Sequence, residues 1–90
     1  MAVCLIVQVP GATLEQYDSV RAAVGDPLGE GQISHVAGVG GGNLYVVDVW
    51  ESRADFDRFM QEKLGEPMAA AGVPEPQITE FEVHSSEQRD

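Results

Sequence analysis

The sequence predicts an α+β domain in which the elements follow the order β-α-β-β-α-β. Three observations predict it. Apolar, β-branched runs at residues 2–9 and 44–50 have the length and composition of strands, whereas the apolar residues after Thr13 and Ser52 recur every three or four positions, as on a helix. A glycine run, Gly40-Gly41-Gly42, joins two strand-like segments and leaves no room for a crossover helix between them. An alternating segment at 77–84 follows the second helix. This order is the split βαβ, or ferredoxin-like, plan: a four-stranded antiparallel sheet carrying two helices on one face.

Residues 2–9 end at Pro10-Gly11, a strong breaker pair, and their two apolar faces predict a central strand. Thr13 and Gln16 have the spacing of a capping box, in which each side chain satisfies a free amide of the first helical turn. Leu14, Tyr17, Val20, Arg21 and Val24 form the stripe of that helix, and Gly25-Asp26-Pro27 stops it. A polar loop with Gly29 and Gly31 leads to the second strand, Ile33 to Val39. Gly38 to Gly42 is too glycine-rich for a strand end alone, but a phosphate-binding loop would open a helix and bring a lysine, and neither is present. A hairpin turn is the expectation.

The second helix starts at Ser52, with Asp55 in its first turn. Phe56, Phe59, Met60 and Leu64 share one stripe, and Asp55, Asp57, Arg58, Gln61 and Glu62 lie mainly toward solvent. Gly65 is expected to end the main helix, Pro67 to start a short turn through Ala71, and Gly72 to Pro76 to break it. In the last strand Phe81 and Val83 share one face, and Ile78, Glu80, Glu82 and His84 the other. Its charge predicts a sheet edge. Residues 85–90 form a polar tail expected to fray.

Ninety residues make one small domain, residues 1–90, which buries only about 60% of its unfolded surface. Scaffolds of this size gain stability from disulfides, a metal or a partner subunit. Cys4 is the single cysteine, and His35 and His84 are far apart with no cysteine cluster, so neither a disulfide nor a metal site is expected. A homodimer is the remaining device. The sheet supports it independently, because a ferredoxin-like sheet has one face without helices, and the first and third strands are apolar on both sides. Fifteen acids against five basic residues give a net charge of −10. That balance argues against nucleic acid and anionic membranes as partners. The first nine residues have no basic leader segment and no membrane-spanning length, so a cytoplasmic protein is expected.

The element order, the glycine-rich hairpin, Val47-Asp-Val-Trp-Glu-Ser52 and Ala54-Asp-Phe-Asp-Arg-Phe59 resemble the dimeric α+β barrel proteins. Within these the likeness is to the antibiotic biosynthesis monooxygenase-like group and small uncharacterised relatives, and it spans roughly residues 2 to 84. The resemblance implies two ferredoxin-like sheets packed into an α+β barrel, with a pocket in each subunit between sheet and helices. It also implies a range of activities, from cofactor-independent monooxygenases and cyclase-like enzymes to haem-degrading members. The haem-degrading branch carries an Asn, a His and a Trp at set places. Here the first strand has no Asn and Trp50 lies on a strand, so the likeness points away from that branch and no cofactor is expected.

If Gly41-Gly42 are the two loop residues of the hairpin, His35 faces Asp48 and Ile33 faces Trp50. An odd loop would put His35 and Asp48 on opposite faces. The even loop also gathers Ile33, Ala37, Val39, Leu44 and Val46 on one face. Asp48 is the one acid inside an apolar strand, and His35 would supply its partner. A carboxylate that accepts one imidazole N–H fixes the tautomer and leaves the other nitrogen to take a substrate proton. His35 and Asp48 are therefore the candidate catalytic pair. Trp50, Tyr45 and Tyr17 are candidates for contacting an aromatic or polyketide-like small molecule. The same residues admit a purely structural role, with His35 and Asp48 satisfying each other and Trp50 anchoring a core. Three classes thus fit the sequence: a small enzyme, a non-catalytic ligand-binding protein, and a structural or interaction module.

Overall fold

The computed structural model describes residues 2–25 and 29–87. Its strands are β1 (Val3–Pro10), β2 (Gln32–Gly40), β3 (Asn43–Trp50) and β4 (Gln77–Glu82). Its helices are α1 (Leu14–Val24), α2 (Arg53–Phe59) and α3 (Gly65–Ala71), with a π-helical turn at Met60–Leu64 joining the last two. The strands form one antiparallel sheet in the order β2-β3-β1-β4. The expected ferredoxin-like α+β architecture is present, with β1 inside the sheet and β4 at its edge.

Local chemistry sets the ends of the elements. Thr13 and Gln16 form the reciprocal capping box at the start of α1, each side chain bonding the other's backbone N–H at 3.0–3.1 Å. Gly25 closes α1 with φ 85°, donating its N–H to Arg21 O; Asp26 and Pro27, the rest of the expected stop, lie outside the described residues. Ser52 caps α2 by accepting the Asp55 N–H. Gly41 and Gly42 have φ of 59° and 82°, so both loop residues of the β2–β3 hairpin are left-handed. Such a turn matches the twist of the flanking strands and requires residues without a Cβ penalty. The loop is therefore even.

Gly65 does not end the helix, contrary to the sequence expectation. The chain runs on from α2 through the π-helical turn into α3 and stops at Gly72, which is left-handed. Pro67 offers the physical reason for the wider turn. Proline lacks an N–H and its ring crowds the carbonyl four residues back, and one wider turn relieves that conflict without breaking the helix. The Gly65 N–H reaches back five residues to Met60 O, the bond that defines the widening.

The core lies between the sheet and the helices. Val3, Leu5, Trp50 and Phe56 form one buried cluster, and Val9, Ala12 and Leu44 a second with Tyr17 packed against it. Strand alternation puts Leu5 and Asp48, then Val7 and Val46, then Val9 and Leu44 side by side on this face. The other face carries Val36, Val47 and Ile6 in one row across β2, β3 and β1, and Val49, Cys4 and Phe81 in the next. Val36 is 67% exposed and Phe81 50%. No helix among the described residues is long and apolar enough to cross a membrane.

Candidate functional site

Between the sheet and the helices lies a partly open apolar cavity. Its floor is Val7, Val9, Leu44, Val46 and Ile78 of the sheet, and its roof comes from Val20 and Val24 of α1 with Phe56, Phe59, Met60 and Met68 of the second helical stretch. Tyr17, His35, Asp48, Gln32 and Arg21 interrupt this apolar lining. A few polar groups converging in an apolar concavity are the general character of a small-molecule site.

Three of those polar residues form a continuous chain. His35 and Asp48 are direct cross-strand partners, and His35 Nδ1 lies 2.6 Å from Asp48 Oδ1. On the other side of the ring, His35 Nε2 lies 2.6 Å from the Tyr17 hydroxyl. With Asp48 ionised, Nδ1–H donates to the carboxylate and Nε2 accepts the Tyr17 O–H, so the bonding pattern selects one tautomer. The Tyr17 and His35 rings are nearly parallel, 6.0 Å apart at 10°. Sequence separation hid this contact, because Tyr17 reaches the sheet from α1.

Burial sets the titration of the chain. Desolvation pushes the Asp48 carboxyl above the usual carboxylate range, opposed by its hydrogen bond to His35, by the His35 charge, and by the nearby N–H groups of Gln32 and Trp50. Burial likewise raises the Tyr17 phenol; Arg21 opposes that shift, and Asp48 and Asp18 add to it. Tyr17 is thus a neutral hydrogen-bond donor at neutral pH.

Helix α1 holds Tyr17 in place through the residue before it, Gln16. The capping box fixes the start of the helix, and the Gln16 side-chain amide donates to Ala71 O at 3.3 Å and Gly72 O at 3.1 Å. That tie fastens α1 to the end of α3. Gln16 therefore both caps its own helix and clamps the roof of the cavity.

Trp50 and Tyr45 occupy other places than the sequence expectation gave them. Trp50 is on the same sheet face as Asp48 but is 0% exposed, enclosed by Phe56 and Phe59 and covered by Gly29. It braces the end of the core and does not line the cavity. Its indole N–H is buried without a hydrogen-bond partner, close enough to Asp48 to favour the ionised carboxylate but outside bonding geometry. Tyr45 points to the opposite face, because Leu44 and Val46 on either side of it turn inward. Ile33 does not face Trp50: a bulge between Gln32 and Ser34 makes Gln32 the partner of Trp50 and leaves Ile33 exposed. Gln32, which the sequence reading passed over, enters the cavity wall through that bulge and accepts the Gly29 N–H at 2.8 Å.

A haem would need an axial ligand from the protein. His35 is the histidine at the cavity, and both of its nitrogens are engaged, by Tyr17 and by Asp48. His84 is exposed beyond β4. The residues present do not fit haem ligation. Among the described residues there is no group of three or more His, Cys, Asp or Glu side chains placed to hold a metal ion.

No family model matches the chain, and no curated protein matches its sequence. Solved structures do match its fold. A candidate antibiotic biosynthesis monooxygenase from Chloroflexus aurantiacus superposes with TM-score 0.71 at 16% identity, covering 98% of each chain. SnoaB, a cofactor-independent oxygenase from Streptomyces nogalater, superposes with TM-score 0.70 at 13% identity, covering 94% of this chain and 95% of its own. MhuD, solved with manganese protoporphyrin IX in its active site, gives TM-score 0.65 at 20% identity over 97% and 99% of the two chains. The chain has the antibiotic biosynthesis monooxygenase-like fold.

Proposed function

We propose that this protein is a small acid–base enzyme acting on a flat, apolar, weakly acidic substrate, an aromatic or polyketide-like phenol or carbon acid, in a cofactor-independent oxygenation. The observation that carries the reading is the Tyr17–His35–Asp48 hydrogen-bond chain set in the wall of an apolar cavity. His35 is the base, and Asp48 holds its tautomer and stabilises the imidazolium. Removing a proton from an activated methylene gives a delocalised carbanion, which can react with dioxygen directly. One oxygen atom enters the substrate as a carbonyl and the other leaves as water, so the methylene supplies both hydrogens and all four electrons. The fold shared with a cofactor-independent oxygenase is consistent with this chemistry, although one fold hosts many activities.

The proposed active form is a homodimer in which the two apolar sheet faces pack together, leaving a cavity in each subunit. A second reading is a non-catalytic binding protein. It is favoured by one observation: neither nitrogen of His35 is free to meet a ligand. The test compares wild type with His35→Ala against a panel of polycyclic phenols under air, following oxygen uptake and product spectra. Turnover by wild type that is lost in the variant is expected; turnover unchanged by the substitution would remove His35 from the mechanism.

A further inference from the structure

An imidazole that abstracts a proton needs a nitrogen facing its substrate, and His35 has none. Asp48 holds Nδ1 and the Tyr17 hydroxyl holds Nε2, each at 2.6 Å. Tyr17 is the outer member of the chain, and it lines the cavity. The side-chain amide of Gln16, the neighbouring residue, accepts the Thr13 N–H through Oε1 and donates through Nε2 to the end of α3, so Tyr17 sits on a fixed support. A substrate that displaced the phenol to reach Nε2 would break a short hydrogen bond and leave a half-buried hydroxyl to find another partner.

Resting on the acid–base reading above, we infer that Tyr17 is the catalytic residue that meets the substrate, as the outer member of a Tyr17–His35–Asp48 proton relay. The substrate proton passes to Tyr17 Oη as the Tyr17 hydroxyl proton passes to His35 Nε2. Tyr17 is neutral before and after the transfer. The substrate becomes its delocalised anion, His35 becomes imidazolium, and its Nδ1–H stays bonded to the Asp48 carboxylate. No electron is transferred, and reversal of the same steps returns the proton. The relay selects substrates that arrive neutral with a proton to give, because the site offers a phenol oxygen backed by a buried carboxylate.

Hydrogen–deuterium exchange isolates this step from any reaction with oxygen. The probe is 2-tetralone, a flat apolar carbon acid, followed by proton NMR in D2O under nitrogen with wild type, Tyr17→Phe, His35→Ala and the double variant. Wild type should accelerate exchange at the benzylic methylene over buffer, and Tyr17→Phe should lose about a hundredfold, the lower end of what general acid–base catalysis contributes. Because members of a relay act as a unit, the double variant should be no slower than His35→Ala. Exchange that depends on His35 and ignores Tyr17→Phe, or losses that simply add, would overturn the relay and leave the acid–base reading intact. Wild-type exchange at the buffer rate would overturn both. Should Tyr17→Phe fold poorly, difluorotyrosine in place of Tyr17 keeps the ring and lowers the phenol pKa. The alkaline limb of the pH–rate profile should then move to lower pH, and an unmoved limb counts against the relay.

Discussion

His35 and Asp48 stand directly opposite one another across β2 and β3, and two glycines put them there. With φ of 59° and 82° at Gly41 and Gly42, the hairpin closes in two residues and pairs Gly40 with Asn43. From that pair outward every second rung faces the helices, and the fifth rung beyond it is His35 with Asp48. The site therefore depends on backbone conformation at a turn five residue pairs along the strands from the chemistry.

Substituting the turn tests that dependence. Gly42→Val places a β-branched side chain in the left-handed region and should cost about 1–2 kcal/mol. Gly42→Asn, a residue that tolerates that region, should cost much less. Urea denaturation followed by far-UV circular dichroism reads both values. Equal stabilities for the two variants would show that the turn is not strained by a side chain.

The turn also shows how much of the site was legible in the sequence. A glycine run between two strand-like segments predicts a hairpin, and the condition of an even loop, favoured by the shared apolar face, carries the register as far as His35 and Asp48. It fails one step later, at Ile33, because the bulge between Gln32 and Ser34 leaves no mark in residue type. Trp50 was legible as sharing a face with Asp48. Whether a large aromatic on that face fills the core or lines a cavity depends on how α2 and Gly29 close over it, which is a packing outcome. The contact of Tyr17 with His35 was out of reach for a similar reason: it depends on the tilt of α1 over the sheet. Gly65 misled because glycine often ends helices, while Pro67 here was accommodated by a wider turn.

Asp48 gives a prediction in pH. Its folded pKa is raised, so the native state binds the proton more tightly than the unfolded chain. Stability contributed by this group is then greatest below the unfolded value and is lost as pH rises through the folded one. The difference in stability between wild type and Asp48→Asn should accordingly turn against wild type as pH rises from the ordinary carboxyl value of 3.8. Denaturant midpoints at several acid pH values measure the trend. A difference that moves the other way would mean that pairing with His35 outweighs the cost of burying the charge.

Gly29 gives a prediction in packing. A Cβ there would lie 2.6 Å from Phe59 Cδ1 and 3.0 Å from the Trp50 ring. Both neighbours are rigid aromatic rings in the core, so the added methyl must displace one of them. Gly29→Ala should destabilise the fold by about 1–3 kcal/mol, as overpacking does. Trp50 is the sole tryptophan, so its emission should shift toward red as its enclosure loosens. An unchanged spectrum and midpoint would place Gly29 away from that ring in solution.

The open sheet face gives a prediction about assembly. Val36, Val47 and Ile6 make an apolar row across three strands, with Phe81, Cys4 and Val49 in the row beside it. Contiguous exposed apolar surface of this kind marks an interaction site. Val36 is the residue to change, because it is 67% exposed and lies on the edge strand β2, away from the cavity. Its loss should leave the folded subunit unharmed while placing a charge in the proposed interface. Wild type should sediment as a dimer at micromolar concentration, and Val36→Glu should sediment as a folded monomer. A charge buried without a partner in a symmetric interface is met twice, once from each subunit, which makes the substitution a severe test. A monomeric wild type would mean that the apolar rows serve some other partner and that the sheet-to-sheet barrel does not form.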